Sequence, residues 1–232
     1  MYICSVLIIE DLKDIFNFIY IRFNKFIIIY INIFIYSIQE TMNTKKVLKF
    51  ITGNKKKLEE AKAIFERDYP DIELVMEKAD IPELQGDPVE IVQNKLQWAI
   101  ERVEGPLLVE DTSLCFNAFG GLPGPYIKDF LTKLGTKGLY KLLEGFEDKT
   151  AYSQCIFGLI TKKGEKGQLF VGQTKGRIVD PRGPDNFGWD PVFEPNGFDK
   201  TYAEIPSEEK NKISHRSKSL ALLLEHLKTN PL

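Results

Sequence analysis

The chain has 232 residues and a formal net charge of −2, with a sequence pI near 5.9, which excludes a protein that grips a nucleic-acid polymer through a basic surface. Apolar residues at 43% and charged residues at 28% supply a core for one large or two small domains and exclude a disordered or fibrous chain. Three widely spaced cysteines, Cys4, Cys115 and Cys155, and two histidines, His215 and His226, exclude a disulfide scaffold and a multi-histidine metal site. Any metal must then rest on oxygen ligands of the kind magnesium prefers.

Residues 1–41 differ from the rest, with 13 Ile, 5 Phe and 4 Tyr in runs such as FIIIYINIFI at 26–35. The uncharged stretch 26–39 has 14 residues, short of the roughly 20 that a spanning helix needs. Extending it upstream takes in Arg22 and Lys25, each expensive in hydrocarbon. Tyr36-Ser37-Ile38-Gln39 lacks the small residues of a signal cleavage site. Three readings of this leader stay open: translated upstream sequence with Met42 as the true start, a membrane anchor, or a targeting segment. The globular domain is assigned to 42–232.

From there strands and helices alternate. Residues 47–51 (VLKFI) read as a buried strand, breaking at Thr52-Gly53-Asn54 before a helix over about 56–67 with Leu58, Ala61, Ile64 and Phe65 on one face. Ile72, Leu74 and Met76 alternate with acids as a second strand. Asp87-Pro88-Val89-Glu90 opens a helix, with an acceptor at the N-cap, Pro at N1 and a carboxylate at N3. Residues 107–109 form the next buried strand, delivering Glu110-Asp111-Thr112 at its end. The turn 120–126 (GGLPGPY) leads to helices near 127–134 and 137–143, then to a hairpin of 151–162 and 168–179 around Gly164. An irregular stretch over 180–204 precedes a last helix over about 217–228. The pattern predicts an α/β domain with a mixed sheet.

Thr52-Gly53-Asn54-Lys55-Lys56-Lys57 lies between strand and helix, where backbone N–H groups and ammonium groups make an anion site. It lacks the GxxxxGK[ST] pattern of a Walker loop, and a solvated lysine-rich first turn fits it equally. Asp111 and Thr112 follow a buried strand, where α/β sheets place ligands; a surface loop is the plainer alternative. Glu83, in Pro82-Glu83-Leu84-Gln85-Gly86, reads alone as a solvated charge. Phe187-Gly188-Trp189-Asp190-Pro191 puts two aromatics in a loop, to sandwich a base or to cover core. Arg216, in Ser214-His215-Arg216, sets a cation at a helix start, against the macrodipole.

In this order, Thr52-Gly53-Asn54-x-x-Lys57, Leu108-Val109-Glu110-Asp111-Thr112, Gly120-Gly121-Leu122-Pro123-Gly124-Pro125-Tyr126, Phe187-Gly188-Trp189-Asp190-Pro191 and Ser214-His215-Arg216 resemble the inosine triphosphate pyrophosphatases, house-cleaning enzymes for deaminated purine nucleotides. The resemblance covers roughly 45–228, and the leader departs from the family pattern. It implies two lobes around a long curved mixed β-sheet with flanking helices, the active site in the cleft between them, and a homodimer. It also implies Mg²⁺-dependent conversion of ITP, dITP and XTP to monophosphate and pyrophosphate, Mn²⁺ being a possible substitute, in the cytoplasm or tethered to a membrane through 1–41.

Residue by residue, the resemblance makes Thr52, Gly53, Asn54, Lys55, Lys56 and Lys57 the triphosphate loop, with Lys95 and Lys128 adding positive charge and Thr112 on the substrate. Glu83 and Asp111 would hold the metal, and Asp111 would also act as the base toward the attacking water. Phe187 would stack on the purine in a pocket shaped by Gly188, Trp189 and Asp190, while Lys210, His215 and Arg216 would read its 6-oxo edge. Two rival readings are a pyrophosphatase with another base preference and a catalytically silent nucleotide binder.

Overall fold

A computed structural model of the chain describes residues 45–232 apart from Glu83, together with Ile27, Tyr30 and Ile31. The readings of the leader and of Glu83 therefore lie outside the described residues. The chain divides into Met1–Lys45 and Lys46–Leu232, and the second unit carries the architecture. Among the described residues no helix is long and apolar enough to cross a membrane.

The 47–51 run forms strand β1, Lys46–Ile51, with Leu48 and Phe50 fully buried. Helix α1, Lys55–Asp68, starts where the Asn54 side chain accepts from the Lys57 N–H, and buries Ala61, Ile64 and Phe65. Strand β2, Ile72–Glu77, pairs parallel with β1. Helix α2, Pro88–Ile100, begins at the expected cap, with Asp87 accepting from the Val89 N–H at 2.8 Å. Strand β3, Leu107–Phe116, continues through strand β4, Pro123–Gly124, into helix α3, Ile127–Lys141. Gly135 at φ 66° divides α3 where two helices are expected. Strands β5, Thr150–Ile160, and β6, Gln168–Ile178, form the expected hairpin.

Two expectations need correction. The third strand does not end at Val109: it runs to Phe116, paired with β5 from Leu107↔Ile160 to Phe116↔Ala151. Its two mid-strand carboxylates are tolerated because a cation meets each, and beyond them Leu114 and Phe116 are again fully buried. The last helix starts earlier than 217. Ser214 is its N-cap, so α5, His215–Thr229, has His215 and Arg216 as its first residues. Strand β7, Phe193–Pro195, and helix α4, Ser207–Ile213, order part of the stretch read as irregular and the segment after it.

The sheet has the order β2-β1-β3-β5-β6-β7, with β4 beside β3. Its β2, β1 and β3 are mutually parallel, and the neighbours from β3 onward are antiparallel. Alternation of side chains sends Leu48, Phe50, Leu108 and Phe157 into a core closed by α1 and α5. Ile51, Leu107, Val109 and Ile156 enter a second core, closed by α2. Further along the same strands Leu114, Phe116, Ala151 and Ile178 join Ile127, Leu139, Trp189, Phe193 and Tyr202 in a third. The sequence Glu110-Asp111-Thr112 falls on β3 between the first two cores and this last one.

Gly172 of β6 sets how closely α5 approaches. A Cβ there would stand 2.2 Å from the His215 carbonyl and 2.3 Å from the Ser219 nitrogen. The absent side chain lets the first turn of α5 rest on the strand.

Candidate active site

Alternation along β3 sends Glu110 and Asp111 to opposite faces of the sheet. Glu110 follows Leu108 toward α1 and α5. Asp111 follows Val109 toward α2, where Lys95 Nζ lies 2.7 Å from its Oδ1. Burial pushes the Asp111 carboxyl above its usual range against the pull of Lys95 and Lys57. Its Oδ2 is buried with no hydrogen-bond partner among the described residues.

Glu110 is the more deeply enclosed of the two, with 1% of its side chain exposed. Lys57 Nζ lies 2.6 Å from Oε2, and Arg216 Nη2 lies 3.0 Å from Oε1. The Thr112 hydroxyl and, at 3.3 Å, the Cys155 thiol also donate to Oε1. Burial alone would raise the Glu110 carboxyl, but Lys57 and Arg216 outweigh it and hold it far below the usual range. The same pairing works on Arg216, where Glu110 and Glu60 overcome burial and keep the guanidinium charged. Cys155 is correspondingly inert, its thiol pushed well up by burial and the neighbouring carboxylate.

From Arg216 the pairing continues. Its Nη1 bonds Glu60 Oε2, Lys210 Nζ lies 2.9 Å from Glu60 Oε1, and the same ammonium lies 2.5 Å from Asp190 Oδ2. Lys57, Glu110, Arg216, Glu60, Lys210 and Asp190 thus form one chain of alternating charge, contributed by α1, β3, α5, α4 and the turn before β7. Glu60 is absent from the sequence reading. Its signal is its place three residues after Lys57 and one before buried Ala61, beside the inward stripe of α1.

Phe187 sits among the cations of this chain: Lys210 Nζ is 4.6 Å from its ring centroid, Lys56 Nζ 5.8 Å and Arg216 Cζ 5.9 Å. Lys56 also donates to the Asn186 carbonyl, joining the first turn of α1 to this loop. Trp189 turns inward, edge-on to Phe193 and close to Tyr202 and His215, covering the core. His215 is stacked on Tyr202 at 5.9 Å, and neither ring nitrogen has a hydrogen-bond partner among the described residues. Burial, together with Arg216 and Lys210, holds its imidazole neutral.

The structure therefore brings together Lys56, Lys57, Phe187, Asp190, Lys210 and Arg216, and packs Trp189 and His215 directly behind them. Thr52, Gly53 and Asn54 form the turn leading into α1, where Thr52 Oγ1 accepts from the Asn54 N–H at 3.1 Å. Lys55 opens that helix and Gly188 adjoins Phe187. Lys95, Asp111 and Thr112 stand on α2 and β3. Lys128 lies on the first turn of α3, after the 120–126 turn.

The arrangement offers ammonium groups and a helix N-terminus at one end and an aromatic ring amid hydrogen-bond donors at the other. On the other face of β3 stands Asp111, a carboxylate with an unused oxygen. A phosphorylated aromatic ligand is what such a set accommodates.

Proteins of known structure share this fold. A Ham1 protein of Staphylococcus aureus superposes with a TM-score of 0.68 at 25% identity, covering 80% of this chain and 100% of its own. A HAM1 protein of Coxiella burnetii gives 0.70 at 25% identity, over 79% and 99%. A nucleoside-triphosphatase, dITP/XTP pyrophosphatase, of Mycobacterium abscessus gives 0.60 at 28% identity, over 77% and 98%. The Ham1 family itself matches residues 48–226, which takes in every residue assigned to the site, and the chain belongs to that family.

Proposed function

We propose that this protein hydrolyses ITP, dITP and XTP to the nucleoside monophosphate and pyrophosphate, using Mg²⁺ or in its place Mn²⁺, and so clears deaminated purine nucleotides. The class is that of a nucleoside triphosphate pyrophosphatase, in keeping with the family and with the activity named for the M. abscessus relative. The observation that carries the reading is Phe187, ringed by Lys56, Lys210 and Arg216 and joined to the turn at Thr52-Gly53-Asn54 through α1.

In this reading Thr52, Gly53, Asn54, Lys55, Lys56 and Lys57 bind the triphosphate, with Lys95 and Lys128 adding charge and Thr112 lining the substrate. Phe187 stacks on the purine, and Gly188, Trp189 and Asp190 shape its pocket. Lys210, His215 and Arg216 meet the 6-oxo edge. A donor aimed at O6 faces another donor in adenine, and a site left with unpaired buried groups rejects such an analogue by roughly 10⁴. Asp111 orients the attacking water at the α-phosphorus and takes its proton, a role helped by burial, which raises its carboxyl above the usual range.

For a magnesium ion the described residues of the site offer one free carboxylate oxygen, on Asp111. The six-membered charge chain is internally balanced, three cations to three anions, so Lys57, Lys210 and Arg216 are already matched by carboxylates. Asp111 Oδ2 is an oxygen donor without a partner among the described residues, and with Glu83 it would hold the ion. Bound there, the ion supplies charge neutralisation and a more acidic water. The proposed compartment is the cytoplasm, in keeping with the free, buried Cys115 and Cys155, with tethering through 1–41 as the alternative. A second copy of the chain is the proposed partner, as the family resemblance implies.

The test is the full-length chain with ITP and, separately, ATP in Mg²⁺, resolving pyrophosphate from orthophosphate. Pyrophosphate from ITP and little from ATP is expected, and D111N should fold yet lose about 10²–10⁴ in turnover. A folded sample that leaves ITP intact, or releases orthophosphate from it, overturns the reading.

A further inference from the structure

We propose that Glu110 is a positioning residue through which the nucleobase end of the site governs the phosphate end, so that base selectivity is expressed in turnover as well as in binding. This rests on the reading above of Lys57 as a phosphate ligand and Arg216 as a base reader. Glu110 is enclosed between its partners, with one carboxylate oxygen turned to each: Oε2 to Lys57 at 2.6 Å and Oε1 to Arg216 at 3.0 Å. The Thr112 hydroxyl and the Cys155 thiol fix Oε1 from two further directions, which leaves the group no freedom to rotate. Arg216 is tied onward through Glu60 and Lys210 to Asp190. The cations around Phe187 and the lysine of the phosphate loop are therefore members of one chain, with Glu110 as the link between the two ends.

Among charges paired this closely and largely enclosed, a displaced charge is followed by its oppositely charged neighbour. An oxygen at purine position 6 accepts from Arg216 and Lys210 and leaves the chain in register. An amino group there opposes the same donors and shifts Arg216. Through Glu110 that shift draws Lys57 away from where it meets the phosphates. Readers that worked independently of Lys57 would confine selectivity to binding.

The experiment uses the full 232-residue chain and its K57Q and E110Q variants, with kcat and KM measured for ITP and ATP and folding followed by thermal melting. The unsubstituted protein comes first: without pyrophosphate from ITP, this inference falls together with the reading beneath it. Given that turnover, K57Q removes a group that touches no part of the base, yet it should lower the ITP-over-ATP ratio of kcat by about tenfold. E110Q should do the same while changing the KM for ITP by less than about threefold. The double variant should be no less selective than K57Q alone, because Glu110 acts through Lys57. Should K57Q slow ITP and ATP by the same factor, Glu110 is a counter-ion only, and the inference fails while the reading of function stands. Lys57 has 23% of its side chain exposed, so the K57Q arm decides the matter even where E110Q does not fold.

Discussion

His215 shows at single-residue scale how the site is coupled to stability. Burial, with Arg216, Lys210 and Lys57 nearby and Glu110 opposing them, holds its imidazole well below the ordinary 6.5. The folded protein keeps the ring neutral, whereas the unfolded chain binds a proton below about pH 6.5. Stability is therefore lost as pH falls through that value, by at most about 1.4 kcal/mol per pH unit. The melting temperature should drop between about pH 7 and about pH 5, and H215F, which keeps a ring stacked on Tyr202, should flatten that slope. An unaltered slope in H215F would assign the loss to other groups. The depressed carboxyls of Glu60 and Glu194 act in a separate window, stabilising above the ordinary carboxylate range and losing that contribution only in stronger acid. At this scale the sequence showed which cations and which aromatic ring to expect in the cluster, because Lys57, Phe187 and Arg216 lie in recognisable motifs. It did not show Glu60, since a carboxylate on a lysine-rich helix looks solvated until α4 and α5 bring Lys210 and Arg216 over it.

At the scale of elements, α5 carries two of the proposed base readers and is seated by a missing side chain. Gly172→Ala puts a methyl group into the His215 carbonyl and the Ser219 nitrogen, and overpacking of this kind costs about 1–3 kcal/mol. The same displacement lifts His215 and Arg216 from their partners, so ITP turnover should fall along with the melting temperature. Gly145→Ala, where an added Cβ meets nothing within 4 Å, is the control expected to change neither. A stable and fully active Gly172→Ala would show that the first turn of α5 tolerates displacement. The helix starts at Lys55 and Pro88 were legible because capping is local chemistry. The length of β3 was not, because two adjacent acids read as a strand's end unless the cations that neutralise them, distant in sequence, are known.

On the scale of the molecule, β3, β5 and β6 run from the cores under α1, α2 and α5 into the core under α3. Neither end can unfold without breaking strands that the other shares. The two tryptophans report on the two ends: Trp98 packs against the α2 core and Trp189 lies in the α3 core. Single-tryptophan variants, W98F and W189F, should therefore give denaturant transitions with coincident midpoints for this unit. Distinct midpoints would mean two independently folding lobes. The mixed sheet was readable from the alternation of strands and helices, whereas the division of its strands between cores needed the pairing register. That register has one more consequence, for how lineages of this protein can change length. The exposed turn between β5 and β6 can gain or lose residues without moving a functional atom. Within β3 a single added or deleted residue before Glu110 would exchange the side chains on the two faces, turning Asp111 to the face of Lys57 and Arg216 and Glu110 to the face of Lys95. The site depends on the parity of one strand, and only paired insertions there would leave it readable.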